Sequence, residues 1–168
     1  GADPLETALD LILETRAQAL IVEFCMDERD VVTILRHPST AIVTDAEAVA
    51  VDGPLSAGMP HPRAYGTYPR VLARYVREQA VLTWEEAIRK MTSLPAARLG
   101  LTDRGTLREG ACADLVVFDP DTISDTATYA DPHRYPVGIH HVLVNGRFAI
   151  YDGVQTEELP GQVLRGKG

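Results

Sequence analysis

Apolar residues first recur at helical spacing, at Leu5, Leu9, Ile12 and Leu13. Asp3 is placed to cap that helix, Pro4 suits its first position, and Glu6 completes a box-like spacing. The continuous apolar run from Ala19 to Phe24 then predicts a buried strand. Asp27 opens a second helix running to Leu35, with Val31, Ile34 and Leu35 inward and Pro38 helping to end it. A second strand follows from Thr40 to Thr44. Helix, strand, helix, strand is α/β logic, and in a parallel barrel these would be the last two strands.

A loop over 45–68, punctuated by glycine and proline, separates this part from a helix predicted over about Pro69 to Gln79. That helix carries Leu72, Tyr75 and Val76 on one face. Thr83 with Glu86 three residues on opens the next helix, with Ala87, Ile88 and Met91 inward. A short third helix begins at Pro95 and stops near Gly100. From Gly105 the texture changes to turns and short β-runs: Ala113 to Phe118, His140 to Val144, and Arg147 to Tyr151. The Asn145-Gly146 pair joins the last two runs as a hairpin turn. The residues after Gly161 read as a frayed tail. The chain therefore divides into an α/β part, 1–104, and a β part, 105–168.

Composition narrows the function. Hydrophobic residues make up 45% and charged residues 24% of the 168 positions, the balance of a globular chain able to bury a sizeable core. No apolar run is long enough to span a bilayer, and the polar, acidic start does not resemble a signal peptide. A formal net charge of -8 argues against nucleic acid or an anionic membrane as partner. Arg70, Arg74 and Arg77 cluster at helical spacing and read as a solvated or ion-paired face. Cys25 and Cys112 lie far apart in apolar, strand-like settings, which predicts buried free thiols and a reducing, cytoplasmic location.

The candidate chemistry gathers around the central loop. Asp45 ends an apolar run, which is where α/β enzymes place site carboxylates, and also where a turn residue or helix cap would stand. Arg63 can either grip a carboxylate with two parallel N–H bonds or pair with a neighbouring acid. His61 and Tyr65 flank it, either lining a pocket or packing. No His-x-His spacing occurs among His37, His61, His133, His140 and His141. His37 sits beside a helix stop, His133 lies in a proline-bounded loop, and adjacent His140 and His141 on a strand would face opposite ways. A zinc site needs converging imidazoles, so this chain alone is not expected to hold catalytic zinc. Asp114 reads as a structural carboxylate at a strand start.

The block HPRAYGTYPRVL from His61 to Leu72, with Tyr75-Val76-Arg77-Glu78 after it, resembles the D-aminoacylase family. These are N-acyl-D-amino-acid deacylases of the amidohydrolase superfamily. Glu86 to Ala96, Ala113 to Asp119, Val142 to Gly146 and Asp152-Gly153 resemble amidohydrolase tails more generally. The resemblance covers about Met26 to Arg165. It implies the C-terminal third of a longer enzyme: the end of a metal-dependent (β/α)8 barrel followed by strands of a small β-domain. It further implies Asp45 as general base and acid, with weak metal ligation a further role, and Arg63 holding the substrate carboxylate. Zn²⁺ would take its main ligands from outside this chain. The implied partners are an N-acyl-D-amino acid and the N-terminal part of the same enzyme. Two departures stand out: Thr44-Asp45-Ala46 replaces the family's usual Ser-Asp-Gly, and the loop from Asp45 to His61 is longer. The isolated chain is expected to be inactive and to self-associate through exposed barrel surfaces. Two alternatives share parts of this pattern: a dihydroorotase- or hydantoinase-like hydrolase of cyclic amides, and a non-catalytic scaffold or oligomerisation module.

Overall fold

Asp3 accepts hydrogen bonds from the backbone N–H groups of Leu5 and Glu6 at 2.9 and 3.1 Å, and with Pro4 in place α1 runs Pro4–Glu14. In this computed structural model, which describes residues 1–19 and 21–165, α1 buries none of its residues. Its apolar stripe exists without a partner among the described residues. Asp27 caps α2, Glu28–Arg36, through the Arg29 N–H at 2.8 Å, and Leu35 is buried while Ile34 faces out.

Neither expected strand forms. Of Ala19 to Phe24, Leu20 lies outside the described residues, and Ile21 and Phe24 are 83% and 77% exposed with no ladder pairing. Thr40 to Thr44 is likewise unpaired, and the Ile42 N–H is donated to the Lys90 carbonyl at 3.0 Å instead. A parallel strand needs neighbours brought alongside by crossovers, and no strand among the described residues pairs with these runs, so their backbone groups turn to solvent or to a helix. The cysteine reading changes for the same reason. Both thiols are free, but Cys25 next to the unpaired run is exposed and Cys112 is only partly covered.

The helix placed at Pro69 begins earlier. α3 spans Arg63–Arg70 with Pro69 inside it, and the chain continues as a π-helix over Val71–Glu78. A proline within a helix removes one ladder donor, and a wider turn is a common accommodation. Val71, Leu72, Tyr75 and Val76 are buried there, and Gly66 of α3 is needed where a Cβ would meet that of Asp125 at 2.7 Å. Thr83 caps α4, Trp84–Met91, through the Glu86 N–H at 3.2 Å. Ala87 and Lys90 are its buried residues, whereas Ile88 lies at the exposed edge. α5, Ser93–Arg98, starts two residues before Pro95.

The β-runs match their prediction. β1 (Leu115–Phe118), β2 (Ile139–Val144), β3 (Arg147–Tyr151) and β4 (Val154–Gln155) form one antiparallel sheet in sequence order. Asn145 and Gly146 both take positive φ, 49° and 77°, as the hairpin turn between β2 and β3 requires. Asp114 proves structural, accepting the Asn145 N–H at 2.8 Å and pairing with Arg104. The arginines of the α3–π segment are engaged as expected: Arg70 with Asp125 at 3.0 Å, Arg74 with Glu28 at 3.1 Å, and Arg77 with the Ile123 carbonyl at 2.8 Å. Among the described residues, no helix is long and apolar enough to cross a membrane.

The core joins α2, the Ile42 segment, the α3–π helix and α4, and meets the sheet through Ile123, Phe118 and Ile139. Trp84 stacks on Phe118 with ring centroids 6.0 Å apart. The least expected core member is Lys90, 0% exposed. Its ammonium donates to the His37 carbonyl at the end of α2 and to the Thr40 carbonyl at 3.1 Å, with Glu86 at 3.7 Å. A buried charge is tolerated when its donors are filled, and losing it leaves the Thr40 carbonyl wanting a partner, while the His37 carbonyl keeps only the Thr40 N–H at 3.1 Å. Lys90→Met is therefore expected to lower the unfolding free energy by about 2–4 kcal/mol. Urea denaturation measures this, and an unchanged midpoint would show that packing of Leu35 and Ile42 suffices.

Candidate active site

Lys90 holds the Thr40 segment against α4, and that segment delivers Asp45. Asp45 has φ 48°, the left-handed region that aspartate enters more readily than most residues. α3 opens at Arg63, which reaches back across the loop. Its Nε donates to the Asp45 carbonyl at 2.8 Å and its Nη2 lies 2.9 Å from Asp45 Oδ2. One guanidinium thus grips both the backbone and the side chain of Asp45, holding a conformation that would otherwise be costly. The carboxylate is 83% exposed and the arginine side chain 44%, so the ion pair contributes at most about 1 kcal/mol and is readily exchanged.

Both side chains border an open hollow of about 760 Å³, together with Val43, Thr44, Glu47 and His61. The Nδ1 of His61 accepts the Arg63 N–H at 3.0 Å, so the neutral ring carries its hydrogen on Nε2 and donates it to Tyr129 Oη at 3.2 Å. Partial burial, then the positive charge of Arg63, holds His61 below the ordinary histidine value of 6.5. Tyr65 does not border the hollow. It is buried behind the loop, donating to the Ala50 carbonyl at 2.8 Å and lying 3.0 Å from His133 Nδ1. Burial raises its pKa, so the hydroxyl remains a donor.

The structure thus brings together Asp45, Arg63 and His61, sets Tyr65 one layer back, and adds three residues that sequence reasoning missed. Glu47 is a second carboxylate at the hollow, Tyr129 partners His61, and His133 partners Tyr65. His133 and Tyr129 stand some seventy residues along the chain from their partners, and no local spacing betrays such a contact. Of the other histidines, His37 caps the end of α2, accepting the Ser39 N–H, and His141 accepts the Asp152 N–H in the sheet. Among the described residues no three metal-ligating side chains converge.

Chemically the arrangement pairs a solvent-facing proton acceptor with a planar cation able to bind a carboxylate. The Amidohydrolase family model matches residues 44–150, from the residue before Asp45 to the third strand. The chain belongs to the amidohydrolase family. Among curated members it is similar to an N-acyl-D-aspartate deacylase of Alcaligenes xylosoxydans xylosoxydans, 49% identical over 88% of this chain and 28% of that protein. A D-aminoacylase of the same organism is 45% identical over 98% of this chain and 32% of its own length. Among solved amidohydrolases, the N-acyl-D-glutamate deacylase of Bordetella bronchiseptica, complexed with zinc and a phosphonate mimic of the tetrahedral intermediate, is 44% identical with a TM-score of 0.72. That match covers 84% of this chain and 28% of the deacylase. A D-aminoacylase structure described by its binuclear metal centre gives 44% identity and a TM-score of 0.71, over 79% of this chain and 27% of that one. The chain therefore spans about a third or less of the relatives it matches.

The depressed His61 pKa has a defined sign. The folded chain binds fewer protons there than the unfolded one, so His61 contributes stability that is present above 6.5 and lost as pH falls through its lower folded value. An NMR titration of the His61 ring is expected to give a midpoint below 6.5, and His61→Gln to flatten the acid-side fall in stability. A midpoint at or above 6.5 would refute the desolvated, arginine-facing placement.

Proposed function

We propose that this chain is part of a zinc-dependent hydrolase that cleaves the amide of N-acyl-D-amino acids to a carboxylate and a free D-amino acid. The observation that carries the reading is the meeting of Asp45 and Arg63 at one hollow, within the segment that the family model matches. The named relatives are all N-acyl-D-amino-acid deacylases, which favours a linear amide over a cyclic one. In this reading residues 1–104 end a (β/α)8 barrel, with Ala19 to Phe24 and Thr40 to Thr44 pairing as strands once their neighbours are present, and 105–168 belong to a small β-domain.

Asp45 takes a proton from the water that attacks the amide carbonyl, then returns it to the leaving nitrogen, so one carboxylate serves both halves of the reaction. Arg63 binds the substrate α-carboxylate with two parallel hydrogen bonds, fixing which face of the amide meets the water. His61 forms part of the wall beside it. Zinc would be held mainly by ligands outside this chain and would supply polarisation of the amide carbonyl there, and the 168-residue chain alone is inactive.

The test uses the full-length enzyme that carries this segment, assayed on N-acetyl-D- and N-acetyl-L-amino acids. D-selective release of free amino acid is expected, falling at least about a hundredfold in Asp45→Asn. Arg63→Lys should raise KM by about tenfold or more, because a lysine cannot form the bidentate pair. Undiminished turnover in Asp45→Asn would demote that residue to a structural carboxylate, and inactivity of the wild type on every N-acyl amino acid would remove the deacylase reading.

A further inference from the structure

We infer that His133 and Tyr65 form a positioning pair for this site, clamping the loop between Asp45 and His61 from behind so that Arg63 meets a substrate carboxylate in a fixed pose. The inference rests on the deacylase reading above. The loop has little to hold it internally beyond a single 3-10 turn at Gly53–Ser56 and the bond from the Ala50 N–H to the Leu55 carbonyl at 3.1 Å. Yet its two flanks, at Val49 and Pro60, form walls of the hollow. Each flank is tied one residue or two away. Tyr65 Oη donates to the Ala50 carbonyl at 2.8 Å, and His133 Nε2 lies 3.0 Å from the Gly58 carbonyl. Tyr135 Oη adds a weaker contact, accepting the Val51 N–H at 3.4 Å.

The two clamps are one unit. A carbonyl can only accept, so His133 must carry a hydrogen on Nε2 for Gly58. In the neutral ring Nδ1 is then an acceptor, so the Tyr65 hydroxyl shares its single hydrogen between the Ala50 carbonyl at 2.8 Å and that nitrogen at 3.0 Å. Rings reinforce the alignment. Tyr65 meets His133 and Tyr135 edge-on, each with centroids 6.0 Å apart. Tyr65 also sits two residues after Arg63 on α3, so one helical turn carries both the cation and the clamp. Neither His133 nor Tyr65 borders the hollow, so any effect on substrate passes through the loop and α3.

The test again takes the full-length enzyme, with Tyr65→Phe, which keeps the ring and loses the hydroxyl, and His133→Ala. Hydrogen exchange of the amides in 47–60 is expected to quicken about tenfold or more while the helices keep their rates. KM for N-acyl-D-amino acids should rise about tenfold with kcat within about threefold, and the double variant should be no worse than the worse single one. Unchanged exchange in both variants overturns the clamp. A loosened loop with unchanged KM, or losses that simply add, overturns the positioning role. If the wild type hydrolyses no N-acyl amino acid, the deacylase reading fails, and the exchange rates alone then decide whether the clamp exists.

Discussion

A buried ammonium is the constraint on which the site depends. Lys90 stands inside the core with no solvent contact, filling the Thr40 carbonyl that no strand partner satisfies and adding a second donor to the His37 carbonyl, which also accepts the Thr40 N–H. Its own carbonyl accepts the Ile42 N–H. An unpaired extended segment is thus pinned at two backbone groups to one helical residue, which also holds the end of α2. Three residues further on, Asp45 emerges into solvent with its direction already set. The apolar packing of Leu35, Ile42 and Val71 supplies the larger share of burial, but packing is non-directional, and it is the lysine that fixes the register of the segment on α4.

What was legible in the sequence follows a physical divide. Elements whose hydrogen bonds close locally read correctly: the capped helices at Asp3, Asp27 and Thr83, and the hairpin at Asn145-Gly146. The two N-terminal runs, whose partners would lie outside the segment, did not. Ala19 to Phe24 and Thr40 to Thr44 have strand composition, but composition cannot supply a neighbour, and the described residues hold none. Periodicity placed Leu72, Tyr75 and Val76 correctly on the buried face, and misplaced Ile34 and Ile88, which lie outward on α2 and α4. Pro69 reads as a start, yet α3 tolerates it because the following turns widen into a π-helix.

The site shows the same divide. Asp45 and Arg63 were legible because one sits at the end of an apolar run and the other in a distinctive block, and the structure puts them 2.9 Å apart. The supporting residues were not. His133 read as a loop histidine and Tyr129 was not singled out, because their contacts cross sixty-eight positions of sequence and belong to tertiary structure alone. Lys90 escaped for another reason: a lysine on an otherwise polar helix edge gives no sign that its charge is directed inward.

Arg63 holds Asp45 through two bonds of different kinds, and the ionic medium acts on them unequally. The contact to the carboxylate is between charges at the surface, whereas the contact to the carbonyl is charge to dipole at close range. At about 1 M salt the Debye length shrinks to about 3 Å, close to the 2.9 Å of the first contact, which is weakened more than the second. Concentrated electrolyte would loosen the Nη2 edge before the Nε anchor. Two arms of one side chain would then be separable by solvent composition alone, without any change of sequence.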